Sequence, residues 1–303
     1  MIYDIIGDIH GQADKLQGLL SQLGYQHDGT SHIAPPNHMA IFVGDLIDRG
    51  QLQLETLSIV FDMLDNHQAL AVMGNHEYNA IGYASTDQAG KQIYTPTPRQ
   101  NEVHRAFLDA VGEGSPRHRY WLSRFFELPL WLEFDAFIVV HACYDARAIQ
   151  ALTPHLYNGR LSQNNFEKLP KETHHHILKL LAGLQTTLPN DIYIKDSMGH
   201  LRQDIRIRWW ENDLKQPIVK LSAASNCDIS DLPDDLVCPI DFYLSTTKPI
   251  IIGHYWLTGE PLPLSSQVVC TDYSAGKDGY LTAYQFDTDN PTISLNNFVQ
   301  FIG

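Results

Sequence analysis

Five short polar clusters in this chain have residue types and spacings that could do chemistry, and each follows an apolar run. The first is Gly7-Asp8-Ile9-His10-Gly11. An aspartate and a histidine two residues apart are a hard-to-borderline pair, suited to a divalent cation that also holds water. The flanking glycines let the backbone turn tightly and let a ligand approach closely. The other clusters are Gly44-Asp45-Leu46-Ile47-Asp48-Arg49-Gly50, Gly74-Asn75-His76-Glu77, His141-Ala142-Cys143 and Gly253-His254.

Two metal ions can be built from these residues. Asp8, His10 and Asp45 would hold the first. Asp45, Asn75, His141 and His254 would hold the second, with Asp45 bridging. Two ions roughly 3.5–4 Å apart can clamp both oxygens of an in-line displacement at phosphorus, and a water between them would supply hydroxide at neutral pH. His76, beside Asn75, suits the general acid that protonates the leaving oxygen. Asp48 would orient and stabilise the imidazolium form of His76. Arg49 offers a two-pronged donor for phosphate oxygens that a lysine could not match.

The elements that must position these groups are legible as patterns. Residues 2–6 read as a buried strand, and Ala13, Leu16, Leu19, Leu20 and Leu23 then recur at helical spacing. Residues 39–43 read as a second strand, followed by a helix with Leu54, Leu57, Phe61 and Leu64 on one face. Residues 69–73 read as a third strand. Strand and helix alternating in this way imply right-handed crossovers and parallel pairing. In such sheets functional groups gather at the carboxyl ends of the strands. Residues 82–101 read as a long exposed loop, then helices around 102–111 and 119–126, and strands at 130–134 and 136–140. From 144 to 247 the signals weaken: 157–168 reads as a polar loop and 174–184 as a helix. We take 144–247 as an insertion or cap within a single domain spanning 1–303. Strands return at 249–252, 267–270, 280–286 and 292–295.

Bulk properties bound the function. The chain has 303 residues, 44% of them hydrophobic and 18% charged, the profile of an ordinary globular protein. Its net charge of −14 argues against generic binding to a nucleic-acid backbone, which needs Lys and Arg to displace counterions. It leaves room for a small anionic substrate, because a bound metal cluster inverts the local field. The four cysteines form no CxxC pair, so reduced thiols are expected, although Cys227 and Cys238 bracket one loop. No basic leader precedes the first strand, and the apolar run at 249–253 is too short to span a bilayer. A cytoplasmic protein with no membrane partner is the expectation.

GDIHG, GDLIDRG and GNHE, in that order, resemble the signature of the calcineurin-like metallophosphoesterases, and more narrowly their phosphoprotein-phosphatase branch in its bacterial form. The later HAC and GHY resemble the two histidine-bearing motifs that complete the metal site. The resemblance covers residues 8–141 and 253–285 and leaves out the middle third. It implies an α/β fold of two packed mixed β-sheets flanked by helices, and two ions such as manganese, iron or zinc. It also implies Asp8, His10, Asp45, Asn75, His141 and His254 as ligands, His76 with Asp48 as proton donor, and Arg49 as phosphate binder. A second phosphate-binding arginine between the last two histidines falls to Arg206 or Arg208. Tyr273 resembles a tyrosine near the active site of relatives. Ala142-Cys143 stand where the eukaryotic protein phosphatases carry glycines, which weighs against a protein-phosphatase assignment without touching the metal site.

Each residue also has a plainer reading. A lone Asp at a strand end caps a helix, and Asp48 with Arg49 could be a structural pair. His174-His175-His176 reads as a solvated helix face, because neighbouring helical side chains diverge. Trp209-Trp210 reads as packing and Cys143 as buried filler. The ordered set of clusters favours chemistry. The leading expectation is a phosphatase that hydrolyses phosphomonoesters of a small molecule, nucleotide or phosphoprotein by metal-bound hydroxide. The rivals are a pyrophosphohydrolase of dinucleoside polyphosphates, a catalytically dead binding scaffold and a nucleic-acid end-processing phosphatase.

Overall fold

The structure, a computed structural model, describes residues 1–87, 89–189, 191–196, 201–211, 213–223 and 227–303. Two mixed sheets pack face to face. In the first, the order is Asp272–Tyr273, Tyr280–Asp287, Ile2–Ile6, His38–Phe42, Ala69–Ala71, with Phe298–Phe301 also pairing to Tyr280–Asp287. In the second it is Val268–Cys270, Ile250–Ile252, Ile138–Val140, Trp131–Glu133. The three N-terminal strands pair in parallel, as their alternation with helices implies. Ile2–Ile6 and Tyr280–Asp287 run antiparallel, and so do the last two strands of the second sheet.

Side-chain alternation explains the unbroken apolar runs. Ile5, Ile41, Val43 and Val72 from one sheet meet Phe137, Val139, Ile251 and Val269 from the other in a dry inter-sheet layer. Their neighbours Ile6, Phe42, Val140 and Ile252 point the opposite way, into the core under the helices. A strand covered on both faces needs apolar residues at every position. Register then levels the strand ends: Ile6 lies opposite Phe42, Phe42 opposite Ala71, and Ile252 opposite Cys270.

Several boundaries differ from the sequence reading. The stretch 82–101 is not one loop. The helix Asn75–Ala84 runs through Gly82, and the next helix begins at Pro98, leaving 85–97 as the connection. Gly82 belongs in the helix because the Tyr94 ring fills the place of its side chain; a Cβ there would lie 1.9 Å from Tyr94 Cδ2. Thr97 and Gln100 form a capping box around Pro98. Residues 292–295 are not a strand. Ser294 caps a short turn at Leu295–Asn297, and the strand follows at Phe298–Phe301. The loop 157–168 includes one helical turn, Gln163–Phe166, which buries Phe166.

His174 is not on a solvated face. It is half-buried on the helix Lys171–Ala182, and its Nδ1 lies 2.5 Å from the Tyr78 hydroxyl. Trp209 is packing, with its indole N–H donating to Ala142 O at 3.0 Å. Cys143, Cys238 and Cys270 are free thiols. Among the described residues no helix is long and apolar enough to cross a membrane.

Candidate metal centre and active site

The five clusters all lie at the carboxyl ends of strands, and the level register brings them onto one face. The backbone is bent there. Of the eleven non-glycine residues with positive φ among the described residues, six are His10, Asp45, Asp48, Arg49, His254 and Trp256. Left-handed backbone at a non-glycine residue is uncommon and is held only where the surroundings over-determine it. Close approach also demands glycine at two points. A Cβ on Gly253 would lie 2.1 Å from Asp8 Oδ1, and one on Gly74 would lie 2.1 Å from Asp45 N.

Hydrogen bonds set the histidine tautomers. His10 Nδ1 donates to Ile47 O at 2.8 Å and His141 Nδ1 donates to Val43 O at 2.7 Å. A carbonyl can only accept, so Nδ1 carries a proton in each ring and Nε2 is the atom turned inward. His141 Nε2 then faces Asp45 Oδ1 at 3.3 Å and Asn75 Oδ1 at 3.1 Å. With the imidazole neutral at Nε2, these three atoms are donors that can hold a cation. His10 Nε2 and His254 Nε2 are buried and have no hydrogen-bond partner. Two donor groups each fit within 4.8 Å: His10, Asp45 and His76, and Asp45, His141 and His254. Asp45 is common to both. Asp8 stands alongside, its carboxylate accepting the His254 N–H at 3.0 Å. Burial, then Asp272 and Asp45, push the Asp8 carboxyl well above its usual range. Such crowded, buried acceptors fit a pair of cations, and fit nothing neutral.

His76 is placed differently. Its Nδ1 lies 2.5 Å from Asp48 Oδ2, and the other carboxylate oxygen of Asp48 lies 2.7 Å from His104 Nδ1. Burial works against the imidazolium of His76, but Asp45 and Asp48 outweigh it and raise its pKa to about 9. His10, by contrast, is held near 3 by burial and by the neighbouring His76. Asp48 is therefore no partner of Arg49 alone. The Arg49 guanidinium lies 4.2 Å over the Trp256 ring, which also stacks on His10 at 5.1 Å.

Arg206 lines the same cleft, whereas Arg208 donates from Nε to Ser222 O at 2.9 Å and lies outside it. Tyr273 is turned away. It is buried against Phe298, and its hydroxyl accepts from Leu262 N.

Some residues of the site are given no role from the sequence. Glu77, fully buried, accepts the N–H groups of Asp45, Leu46 and Gly74 at 2.8–2.9 Å. Its position three residues into the helix from Gly74 is a capping-box signal that could have singled it out. Gln53 ties the Asp48–Gly50 turn, donating to Asp48 O and Gly50 O and accepting from Asp48 N. Asp272 is buried and accepts from Trp256 N and Ser274 N. The cleft over the site has a volume near 860 Å³ and is lined by Arg49, Arg99, Arg202, Arg206 and Lys277.

Residues 1–221 match the family described as calcineurin-like phosphoesterase. The chain is similar to an asymmetrical bis(5'-nucleosyl)-tetraphosphatase of Halalkalibacterium halodurans, with 43% identity over 148 residues. That match covers 47% of this chain and 57% of the relative. It is also similar to a protein of the same name from Anoxybacillus flavithermus, 42% identical over 76 residues, covering 25% of this chain and 31% of that one. The matches thus span 57% of the length of the first relative and 31% of the second. Two solved structures share the fold, each with a TM-score of 0.51 and 14% identity. One is a cold-active protein tyrosine phosphatase, with 93% of this chain and 73% of that one covered. The other is a serine/threonine phosphatase of Saccharomyces cerevisiae, with 100% and 80% covered.

Proposed function

The chain belongs to the calcineurin-like phosphoesterase family, and from that premise we propose a dinuclear metal-dependent hydrolase that cleaves a P–O–P linkage, with dinucleoside polyphosphates as its substrate class. The observation that carries this reading is the cleft. Five basic residues and two acidic ones, Asp48 and Asp204, line one cavity of about 860 Å³, a basic excess in a chain whose net charge is −14. A single phosphate monoester needs one or two of them; a run of phosphates uses more. The similarity to proteins named as bis(5'-nucleosyl)-tetraphosphatases supports the same substrate class. The rival weighed from the sequence is therefore preferred to the phosphomonoesterase.

We assign Asp8, His10, Asp45, Asn75, His141 and His254 to the ions, with Asp45 shared. The ions would supply Lewis acidity at the phosphoryl oxygens and an activated water. We keep His76 out of the ligand set as the proton donor, its Nδ1 held by Asp48 Oδ2. Asp48 holds its Nδ1 proton, leaving the Nε2 proton for the leaving oxygen. Arg49, held over the Trp256 ring, would present a two-pronged donor to the phosphoryl group. Arg206 lines the same cleft from the end of the strand Asp204–Arg206, which with its partner Gln185–Thr187 walls it. A dead scaffold has no use for the Asp48–His76 contact.

The test compares bis(5'-adenosyl) tetraphosphate with p-nitrophenyl phosphate and bis-p-nitrophenyl phosphate on manganese-loaded protein. A higher kcat/KM for the tetraphosphate is expected. A monoester preferred over it returns the assignment to a phosphatase, and no turnover of any of the three favours the scaffold.

A further inference from the structure

His104 lies outside every motif, on the helix Pro98–Val111, and is 3% exposed. A histidine so buried must satisfy its ring N–H, and the commonest solution is a backbone carbonyl. This one uses a carboxylate that another histidine already holds. His104 Nδ1 is 2.7 Å from Asp48 Oδ1, and His76 Nδ1 binds Asp48 Oδ2. A carboxylate only accepts, so both imidazoles donate, one to each oxygen.

The arrangement is held from both sides. The His104 ring packs edge-on to Tyr83 at 5.4 Å and against Phe107 at 5.3 Å, which limits its rotation. Asp48 has φ 75°, a conformation that needs support from outside the turn. The same helix gives that support twice, because Val103 O also accepts the N–H of Arg49 at 3.2 Å. Without His104, one oxygen of a 3%-exposed carboxylate loses its side-chain donor, and the Asp48 side chain is free to rotate away from His76.

We propose that His104 is a positioning residue for the hydrolysis: it fixes the Asp48 carboxylate in the orientation that aims His76 at the leaving oxygen. The inference rests on the reading of His76 as proton donor. His104 touches no substrate and no ligand of the ions, so its effect passes through Asp48 alone.

That route has a signature a merely structural role lacks. Proton donation matters most for a poor leaving group, so phenyl phosphate must suffer and p-nitrophenyl phosphate must not. Full-length manganese-loaded His104→Leu and His104→Gln are expected to lose on the order of 10–100-fold in kcat on phenyl phosphate, and under about 3-fold on p-nitrophenyl phosphate. KM and bound metal stay unchanged. His104→Asn, whose amide N–H can stand where Nδ1–H stood, recovers most of the loss. In a His76→Asn background His104→Leu adds nothing further, because both changes cut the same chain. Equal losses on both esters, or full additivity with His76→Asn, would overturn the proposal while leaving the proton donor in place. A His76→Asn variant with no leaving-group dependence would remove the donor reading itself, and this inference with it. If His104→Leu does not fold, the Gln and Asn pair decides by the same comparison.

Discussion

Asp45 Oδ1 accepts the backbone N–H of His76 at 3.0 Å. One carboxylate therefore caps the helix Asn75–Ala84, turns toward His141 and His10, and bridges both donor groups. Asp45→Asn is expected to lose bound metal at both positions. The asparagine keeps an oxygen for the His76 N–H, so the helix cap is largely retained. Metal analysis of the purified variant checks it, and unchanged content would remove the bridging role.

His76→Asn keeps the ions and loses the proton. Turnover on a poor leaving group is expected to fall by about 10²–10⁴-fold with KM little changed. Metal content measured beside steady-state kinetics separates this from a damaged site. Retained turnover would sink the donor assignment.

Arg206 and Arg208 are two residues apart and should behave oppositely. Losing one charge-assisted phosphate contact costs roughly 1.5–3 kcal/mol, so Arg206→Gln should lower kcat/KM by about 10–100-fold. Arg208→Gln loses the bond to Ser222 O and should shift only thermal stability. Kinetics on both variants decide, and equal kinetic losses would contradict the geometry.

Glu77 carries structure rather than reaction. Gln at this position turns an amide N–H toward backbone N–H groups that the carboxylate accepts now, and each donor left unsatisfied costs about 1–3 kcal/mol. Burial and then the nearby Asp45 raise its pKa to about 7. Glu77→Gln should lower the melting midpoint clearly, whereas the exposed Glu172→Gln should change it by under about 0.5 kcal/mol equivalent. Equal effects would show that the buried network is dispensable.

Acid sensitivity should have a contribution from a group outside the proposed ligand set. His118 is buried and its Nδ1 accepts the N–H of Gly114 at 3.1 Å, so the folded state wants it neutral. Burial, and then the neighbouring His104, lower its pKa in the folded chain. The unfolded chain takes up a proton near pH 6.5 that the folded chain resists, so stability is full above that pH and falls below it. His118→Asn keeps an acceptor and removes the titration. Its melting deficit against the unaltered protein should narrow from pH 7.5 to pH 5.5. A constant deficit would exclude His118 as the source.

The apolar runs determined the strands, because a strand buried on both faces is apolar except where a buried polar group such as Asp4 finds hydrogen-bond partners. The clusters that end those runs determined which residues meet, because level parallel strands put all their carboxyl ends on one edge. Helix boundaries were less legible: TPRQ at 97–100 is a capping signal that lay inside what reads as a loop, and Gly82 masked a continuing helix whose tolerance for glycine depends on Tyr94. The rest was decided by tertiary structure. Arg206 and Arg208 have the same chemistry, and only the strand pairing of Asp204–Arg206 with Gln185–Thr187 puts one of them in the cleft. Tyr273 has the right neighbours in sequence and faces the wrong way. His104, Gln53 and Asp272 reach the site from separate elements, with nothing in their local spacing to mark them. Periodicity reports which face of an element is buried; it cannot report the hydrogen-bond partner a side chain meets once remote segments close over it.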